Sequence, residues 1–256
     1  MPAFQSDGIE IAYEVFGDGP PILLIHGFGS SGLVNWIETG WTDTLVEAGY
    51  RAITIDNRGH GQSAKLYDPA AYHPSKMAED SRALLDHLKI DRAVVFGYSM
   101  GARIAAFLAL AHPVRVRVGV WGGMGINLVT GLADSDEIIA ALLAQHLSDV
   151  KSRTGRQFRI FADRTGADKE ALAACMVTSR TPMPRADVRR IDVPVLVATG
   201  SDDTMAGAAH ALAEILPQGE AFTIPGRDHM RSTGDPTFKE AALAFLARRG
   251  YVPRQT

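Results

Sequence analysis

The sequence predicts an α/β protein built on a single, mostly parallel sheet, and three observations lead to this prediction. Short apolar segments alternate with longer segments of helical periodicity, which is the pattern of repeated strand–helix–strand units. A length of 256 residues suits one domain of the larger α/β kind. With 46% hydrophobic and 21% charged residues, the chain can bury a sufficient core without disulfides or a structural metal.

The predicted strands differ in how their apolar residues are arranged. The first, residues 9–15, alternates apolar and polar side chains, as half-exposed strands do. The later ones are apolar along most of their length, which is typical of parallel strands buried on both faces. These later strands are predicted at residues 21–25, 51–55, 93–96, 116–120, 195–198 and 220–224.

Helical periodicity fills the segments between these strands, and one long segment has no strand at all. Helices are predicted at residues 75–88, 100–111 and 237–248, and within the strand-poor segment at 135–150 and 169–176. A helical block between two strands of one sheet is typical of a cap over the strands' carboxyl ends, with ordinary crossover helices as the alternative. We therefore predict a core of residues 1–123 and 191–256 and a helical cap of residues 124–190.

Charge and cysteine content exclude several classes of function. A net charge of −3 provides no basic field, so we expect no nucleic-acid partner. The single cysteine, Cys175, excludes an internal disulfide framework and a cysteine-rich metal site. No apolar run approaches the roughly 18 residues needed to span a bilayer, and residues 1–10 do not resemble a signal peptide. We expect a cytoplasmic protein without a membrane partner.

The most specific local motif is Gly97-Tyr98-Ser99-Met100-Gly101, which lies directly between a predicted strand and a predicted helix. In this strand–turn–helix context, Gly-x-Ser-x-Gly is the nucleophile elbow. The glycines permit a sharp turn that presents the serine hydroxyl above the sheet edge, at the N-terminus of a helix whose dipole favours negative charge. Ser99 is therefore the candidate nucleophile.

A serine hydroxyl needs a general base, and the base needs a carboxylate to orient it. His229 lies in a polar loop after the last predicted strand, from which it can reach the strand ends. Asp202 and Asp203 directly follow the strand at 195–198, whereas no carboxylate follows the preceding strand until Asp134. The histidines show no metal-ligand spacing, so we expect no metal site.

An oxyanion formed at Ser99 would require backbone N–H donors. The residue after the nucleophile, Met100, should supply one of them. The second should come from the turn after an earlier strand, here His26-Gly27-Phe28-Gly29, through the amide of Phe28.

Taken together, these motifs resemble those of the α/β-hydrolase fold superfamily. The resemblance rests on residues 26–29, 56–63, 97–101 and 200–203 and on His229, which follow the family's order over nearly the whole chain. It implies a doubly wound sheet, a small helical cap inserted between strands six and seven, and hydrolysis through an acyl-enzyme without a cofactor. The family places the acid three residues after a glycine, here Gly200, which selects Asp203. Asp202 is then expected to be a turn residue whose side chain binds nearby backbone amides.

The resemblance also narrows the chemistry. Dehalogenases and epoxide hydrolases carry aspartate where this chain has Ser99, so neither is expected. The motif loops carry no charged anchor and the predicted cap is rich in apolar residues. We therefore predict a serine hydrolase whose substrate is a small, largely apolar carboxylic ester or related acyl compound. A lactonase, a C–C bond hydrolase of a diketone and a cofactor-free perhydrolase remain alternatives.

Two hypotheses from other classes compete with a hydrolase. Gly27, Gly29 and Gly32 form a Gly-x-Gly-x-x-Gly pattern after a strand, and Asp56 ends the next strand, as in dinucleotide-binding proteins. The gap from Gly27 to Asp56, about 29 residues, exceeds the roughly 20 expected, and this hypothesis leaves Ser99 unexplained. The second is a non-catalytic ligand receptor with the hydrolase fold, because a fold alone does not fix function.

Overall fold

The computed structural model describes residues 1–253. These residues form eight strands: β1 (Ala3–Ser6), β2 (Ile9–Phe16), β3 (Pro21–Ile25), β4 (Arg51–Ile55), β5 (Ala93–Tyr98), β6 (Val116–Gly122), β7 (Val195–Gly200) and β8 (Gly219–Ile224). All belong to one sheet in the order β1-β2-β4-β3-β5-β6-β7-β8. β1 pairs antiparallel with β2, and β2 with β4, whereas every other pairing is parallel. The mostly parallel sheet predicted from the sequence is confirmed.

The α-helices of residues 1–253 lie between the strands and after the last one. They are α1 (Trp41–Glu47), α2 (Pro74–His87), α3 (Met100–Ala111), α4 (Asn127–Thr130), α5 (Ser135–Leu143), α6 (Arg153–Thr165), α7 (Lys169–Ser179), α8 (Arg185–Val188), α9 (Ala209–Ala213) and α10 (Pro236–Arg248). Shorter turns of π- or 3₁₀-helix occur at Leu33–Ile37, Pro69–Tyr72, Pro113–Arg115 and Leu147–Asp149. No helix in this part of the chain is both long and apolar enough to cross a membrane.

Helices cover both faces of the sheet. Alternate residues of each buried strand face opposite ways and pack against the helices on the two sides. On β3, Leu23 and Ile25 belong to a core shared with α2, α3 and α9. Their neighbours Ile22 and Leu24 belong to a second core, shared with α1 and α10. All four side chains are fully buried, which explains why the segment is apolar throughout.

The buried strands end within two residues of their predicted bounds, since a continuous apolar run marks them clearly. β1 is not predicted from the sequence, because Ala3–Ser6 has four residues and only Phe4 and Ser6 are buried. α1 is likewise not predicted. Its seven residues are too few to show a long apolar stripe. Its large buried side chains are Trp41 and Leu45, which pack against the sheet.

The segment between β6 and β7 contains α4 to α8, and its helix ends differ from the prediction. The helix expected at 135–150 ends at Leu143, and Ala144 has an extended backbone with ψ 139°. The guanidinium of Arg159 on α6 explains this early end, because it binds the carbonyls of Ala141 at 3.1 Å and Ala144 at 2.6 Å. Carbonyls at a helix end need such donors.

α6 itself is not predicted from the sequence, because polar residues dominate it and its buried face includes Arg159. The helix expected at 169–176 continues to Ser179. Helices α5, α6 and α7 share a small core that also contacts Phe28, in the turn after β3. The hydroxyl of Thr165 donates to the carbonyl of Gly29 at 2.9 Å, so these helices adjoin that turn. The division into a core and a cap of residues 124–190 stays a prediction.

Two buried histidines connect the loops that follow β3 and β4. The Nδ1–H of His26 donates to the carbonyl of Gly27 at 2.7 Å, and its Nε2 accepts the N–H of Asn57 at 3.0 Å. The Nδ1–H of His60 donates to the carbonyl of Arg58 at 2.9 Å. Burial lowers the pKa of His26 to about 4. Burial, followed by the neighbouring His26, lowers the pKa of His60 to about 3. Both imidazoles are neutral near pH 7.

We expect the protein to lose stability on mild acidification because of these two histidines. In the unfolded chain each takes up a proton below its ordinary pKa of about 6.5, whereas the folded protein resists protonation until near pH 4. The two histidines should therefore leave the free energy of unfolding nearly unchanged above pH 7 and lower it by roughly 1 kcal/mol per pH unit each between pH 6 and 5. Urea unfolding at several pH values measures this slope. His60→Asn should lose about half of it, and an unchanged slope in that variant would contradict the assignment.

Candidate active site

Ser99 occupies a strained backbone conformation between β5 and α3. Its φ of 53° and ψ of −114° are unusual for a residue with a side chain. The strain is held by backbone hydrogen bonds, since the N–H of Ser99 donates to the carbonyl of Gly122 at 2.8 Å and its carbonyl accepts from Ala102 at 3.0 Å. Strain of this kind is concentrated at functional sites.

The two glycines of the elbow are required by close packing. A Cβ on Gly97 would lie 2.3 Å from the carbonyl oxygen of Gly101. A Cβ on Gly101 would lie 2.0 Å from the carbonyl oxygen of Ile25 on β3. The first turn of α3 therefore lies against the backbone of β3 and β5, and this contact presents Ser99 at the carboxyl ends of the strands.

Ser99, His229 and Asp203 form one chain of hydrogen bonds. The Nε2 of His229 lies 3.0 Å from the hydroxyl oxygen of Ser99, and its Nδ1 lies 2.8 Å from Oδ2 of Asp203. An ionised carboxylate only accepts, so Nδ1 carries the proton and Nε2 is free to accept the Ser99 hydroxyl. The structure thus brings together three residues from the ends of β5, β7 and β8.

The loops after β7 and β8 lie side by side, which explains how Asp203 and His229 meet. The N–H of Asp202 donates to the carbonyl of Arg227 at 3.0 Å. A Cβ on Gly200 would lie 2.0 Å from that same oxygen, so only glycine fits there. The hydroxyl of Tyr98, next to Ser99, donates to the carbonyl of His229 and holds this loop in place.

Asp203 is buried and ionised. Burial favours its neutral form, but the bond from His229 and the amides of Ala206 and Met205 outweigh burial and lower its pKa. Its Oδ1 accepts those amides at 2.9 and 2.8 Å, leaving Oδ2 for the histidine. The expectation that Asp202 binds nearby amides is wrong: these bonds belong to Asp203. Asp202 is exposed and accepts the hydroxyl of Ser201 at 2.9 Å.

Phe28 and Met100 adjoin the cavity above Ser99, and their N–H groups have no acceptor among residues 1–253. Met100 is the first residue of α3, where a helix leaves its N–H groups unpaired. Phe28 belongs to the turn after β3, and a Cβ on the adjacent Gly27 would lie 3.5 Å from Cβ of Ser99. Both N–H groups are therefore available to a ligand.

The cavity above Ser99 is narrow, with a volume of about 30 Å³. Its apolar lining consists of Phe28, Met100, Met124, Leu132, Phe158 and Met205. Its polar lining consists of Ser99, His229, Ser179, Arg103 and Arg180, and Gly123 completes the wall. A larger and more open cavity of about 490 Å³ adjoins it and shares Leu132 and Arg180.

Arg103 and Arg180 are not among the site residues predicted from the sequence. Arg103 follows Ser99 by four residues, which is about one turn of α3, so helical spacing could have identified it. Arg180 lies just beyond the end of α7, and no spacing rule connects it with the elbow. The motif loops carry no charged anchor, but two arginines line the cavity.

The dinucleotide-binding hypothesis does not fit the structure. The carboxylate of Asp56, which would bind a ribose, accepts the N–H groups of Gly32 and Gln62, both at 2.7 Å. A Cβ on Gly32 would lie 2.9 Å from Thr54, so this glycine serves packing within the protein. Among residues 1–253, no group of three His, Cys, Asp or Glu side chains is placed to hold a metal ion.

Comparison with known proteins identifies the class. The model of the alpha/beta hydrolase fold family matches residues 20–121. A non-heme chloroperoxidase of Streptomyces lividans is 32% identical, over 94% of this chain and 97% of its own length. The chain therefore belongs to the α/β-hydrolase fold family.

Two further relatives are more distant. A dihydrolipoyllysine-residue acetyltransferase component of the acetoin cleaving system of Pseudomonas putida is 27% identical over 92% of this chain, which spans 66% of that protein's length. A solved esterase of Exiguobacterium antarcticum superposes with a TM-score of 0.81 over 96% of this chain and 98% of its own. At 22% identity, this esterase supports the fold alone.

Proposed function

We propose that the chain is a serine hydrolase that cleaves a small carboxylic ester, or a related acyl compound, through an acyl-enzyme. The observation that carries the proposal is the hydrogen-bonded chain Ser99–His229–Asp203 facing a narrow cavity. These hydrogen bonds support the roles of nucleophile, general base and orienting acid that acyl transfer requires.

The first half of the reaction forms the acyl-enzyme. The Ser99 oxygen attacks the carbonyl carbon while Nε2 of His229 takes the hydroxyl proton. Asp203 stabilises the resulting imidazolium through its bond to Nδ1–H. The negative charge that develops on the carbonyl oxygen is accepted by the N–H groups of Phe28 and Met100. The intermediate then expels the alcohol, and the alkoxide leaves with the proton from His229.

The second half repeats these steps with water. His229 removes a proton from a water molecule, and the hydroxide attacks the acyl carbon. The same two N–H groups stabilise the second oxyanion. When the bond to Ser99 breaks, His229 returns the proton to the serine oxygen. The products are a carboxylic acid and an alcohol, and the protein ends in its starting state.

The cavity supports a small acyl group. Its walls are mainly apolar, and its narrow volume of about 30 Å³ leaves little room beside Ser99. The adjoining open cavity of about 490 Å³ can hold a leaving alcohol or the far end of an acyl chain of a few carbons. Long-chain lipids fit this arrangement poorly.

A cofactor-free perhydrolase is the second candidate, and the chloroperoxidase relative favours it. Hydrogen peroxide in place of water would attack the same acyl-enzyme and release a peracid, which can oxidise halide. Both candidates use the same residues through acylation and differ only in the second nucleophile. Turnover of a small ester with and without hydrogen peroxide, with the peracid measured directly, separates them.

Ser99→Ala should abolish hydrolysis of small esters such as 4-nitrophenyl acetate. Loss of a triad serine costs on the order of 10⁶ in kcat in a well-studied protease. Steady-state kinetics on purified protein measures the loss, and Ser148→Ala, an exposed serine, serves as the control. Circular dichroism should show both variants folded. Retention of more than a few per cent of the activity by Ser99→Ala would exclude Ser99 as the nucleophile.

Asp203→Asn and Asp202→Asn form a matched pair of adjacent substitutions. Asn at 203 can donate to Nδ1 of His229 and so favour the wrong tautomer, which in a known triad lowers kcat by about 10⁴. We expect a loss of several orders of magnitude near pH 7 for Asp203→Asn, with partial recovery at high pH. Asp202→Asn should lose less than about tenfold, because the carboxylate of Asp202 is exposed and accepts the hydroxyl of Ser201. The reverse order of losses would transfer the orienting role to Asp202.

A further inference from the structure

Arg103 is a buried cation that pairs with no carboxylate in the described part of the chain. Its side chain is 1% exposed. Its guanidinium donates to the carbonyl oxygens of Leu128 at 3.2 Å, Thr181 at 2.8 Å and Asn127 at 3.1 Å. Within residues 1–253 no Asp or Glu lies within ion-pair distance of it. Burying a charge costs free energy unless an opposite charge compensates it.

Arg180 places a second guanidinium where the two cavities meet. It is 14% exposed, forms an ion pair with Asp134 and lies over the ring of Phe158 at 5.5 Å. The two arginines interact: burial lowers the pKa of Arg103 to about 10, and the positive charge of Arg180 acts in the same direction. Arg103 nevertheless remains charged near pH 7.

The positive charges around this site are compensated unevenly. Arg180 pairs with Asp134 and His229 binds the ionised Asp203, whereas the guanidinium of Arg103 binds carbonyl oxygens and the sulfur of Met124. The residues that line the two cavities include no Asp or Glu. Within residues 1–253 no carboxylate therefore contacts the charge of Arg103, which lines the same cavity as Ser99 and His229. An anionic ligand would compensate it.

We propose that the substrate is an ester that bears a carboxylate, held by Arg180 and attracted by the buried charge of Arg103 while its carbonyl lies at Ser99. Nη1 of Arg180 binds Asp134, and its Nε and Nη2 have no acceptor within residues 1–253, so they can form the planar fork that a carboxylate matches. A carboxylate carries one negative charge, as the single charge of Arg103 requires, whereas a phosphate carries up to two. The reaction at Ser99 rests on the proposed function, whereas the binding of the anion does not.

Matched ester pairs test the proposal by kinetics. Mono-4-nitrophenyl adipate and 4-nitrophenyl hexanoate differ by a carboxylate on the acyl side, and 4-acetoxybenzoate and phenyl acetate by one on the alcohol side. Charge-assisted hydrogen bonds imply that kcat/KM for the anionic member of at least one pair is higher by about tenfold or more. No preference for the anionic ester in either pair would overturn the proposal.

Arg180→Gln should remove this preference, mainly by raising KM for the anionic ester about tenfold. For the neutral ester, KM should change by less than about threefold, because this ester has no carboxylate to bind the guanidinium. Arg189→Gln removes the same charge from an exposed position of the inserted helices and should change neither substrate. Equal losses for anionic and neutral esters in Arg180→Gln, or the same effect in Arg189→Gln, would contradict a carboxylate site.

A binding measurement separates this proposal from the reaction at Ser99. Calorimetric titration of the Ser99→Ala protein with monomethyl adipate should show binding. In the double variant, which also carries Arg180→Gln, the Kd should be about tenfold higher. Methyl hexanoate should bind more weakly than the anionic ester. Binding of inorganic phosphate but not of monomethyl adipate would overturn the choice of a carboxylate. If Ser99→Ala retained full esterase activity, the proposed function would be wrong. The titration would still show whether Arg180 binds a carboxylate, because it measures binding and not turnover.

Discussion

The close contact between α3 and the sheet is the constraint on which the candidate site depends. Gly101 brings the start of α3 against the backbone of β3, and Gly97 lets the chain turn back above β5, with no room for a Cβ at either position. Between them Ser99 is held at φ 53°. A larger residue at either glycine would move α3 outward, and the hydroxyl of Ser99 and the N–H of Met100 would move with it.

The other parts of the site are arranged around that turn by local backbone contacts. Tyr98, inside the elbow, binds the carbonyl of His229, and the loop of Asp203 binds the loop that carries His229. Two backbone N–H groups donate to Oδ1 of Asp203 and so fix the carboxylate whose Oδ2 binds His229. Each of these residues therefore has little freedom to move. Catalysis benefits from such preorganisation because no reorganisation is needed when charge develops.

Much of the fold and part of the site follow from the sequence, for identifiable reasons. The parallel strands are marked by apolar runs, and the elbow, Asp203 and His229 follow strand ends, so their meeting at one sheet edge can be foreseen. Helix α6 cannot be foreseen, because its buried face includes Arg159. A buried arginine is explained only by its hydrogen bonds to carbonyls at the end of α5, which the sequence does not reveal. The contact of Arg180 with the cavity depends likewise on how the helices between β6 and β7 pack, which no local pattern encodes.

In the proposed reaction an acyl group is transferred to the oxygen of Ser99. The most direct test is to mix the protein with a small 4-nitrophenyl ester, quench with acid within the first turnover, and locate the added mass by peptide mass spectrometry. We expect one added acyl group, on Ser99, that forms as 4-nitrophenol is released and disappears once the substrate is consumed. Turnover without an adduct on any residue, or with the acyl group on a different side chain, would contradict it.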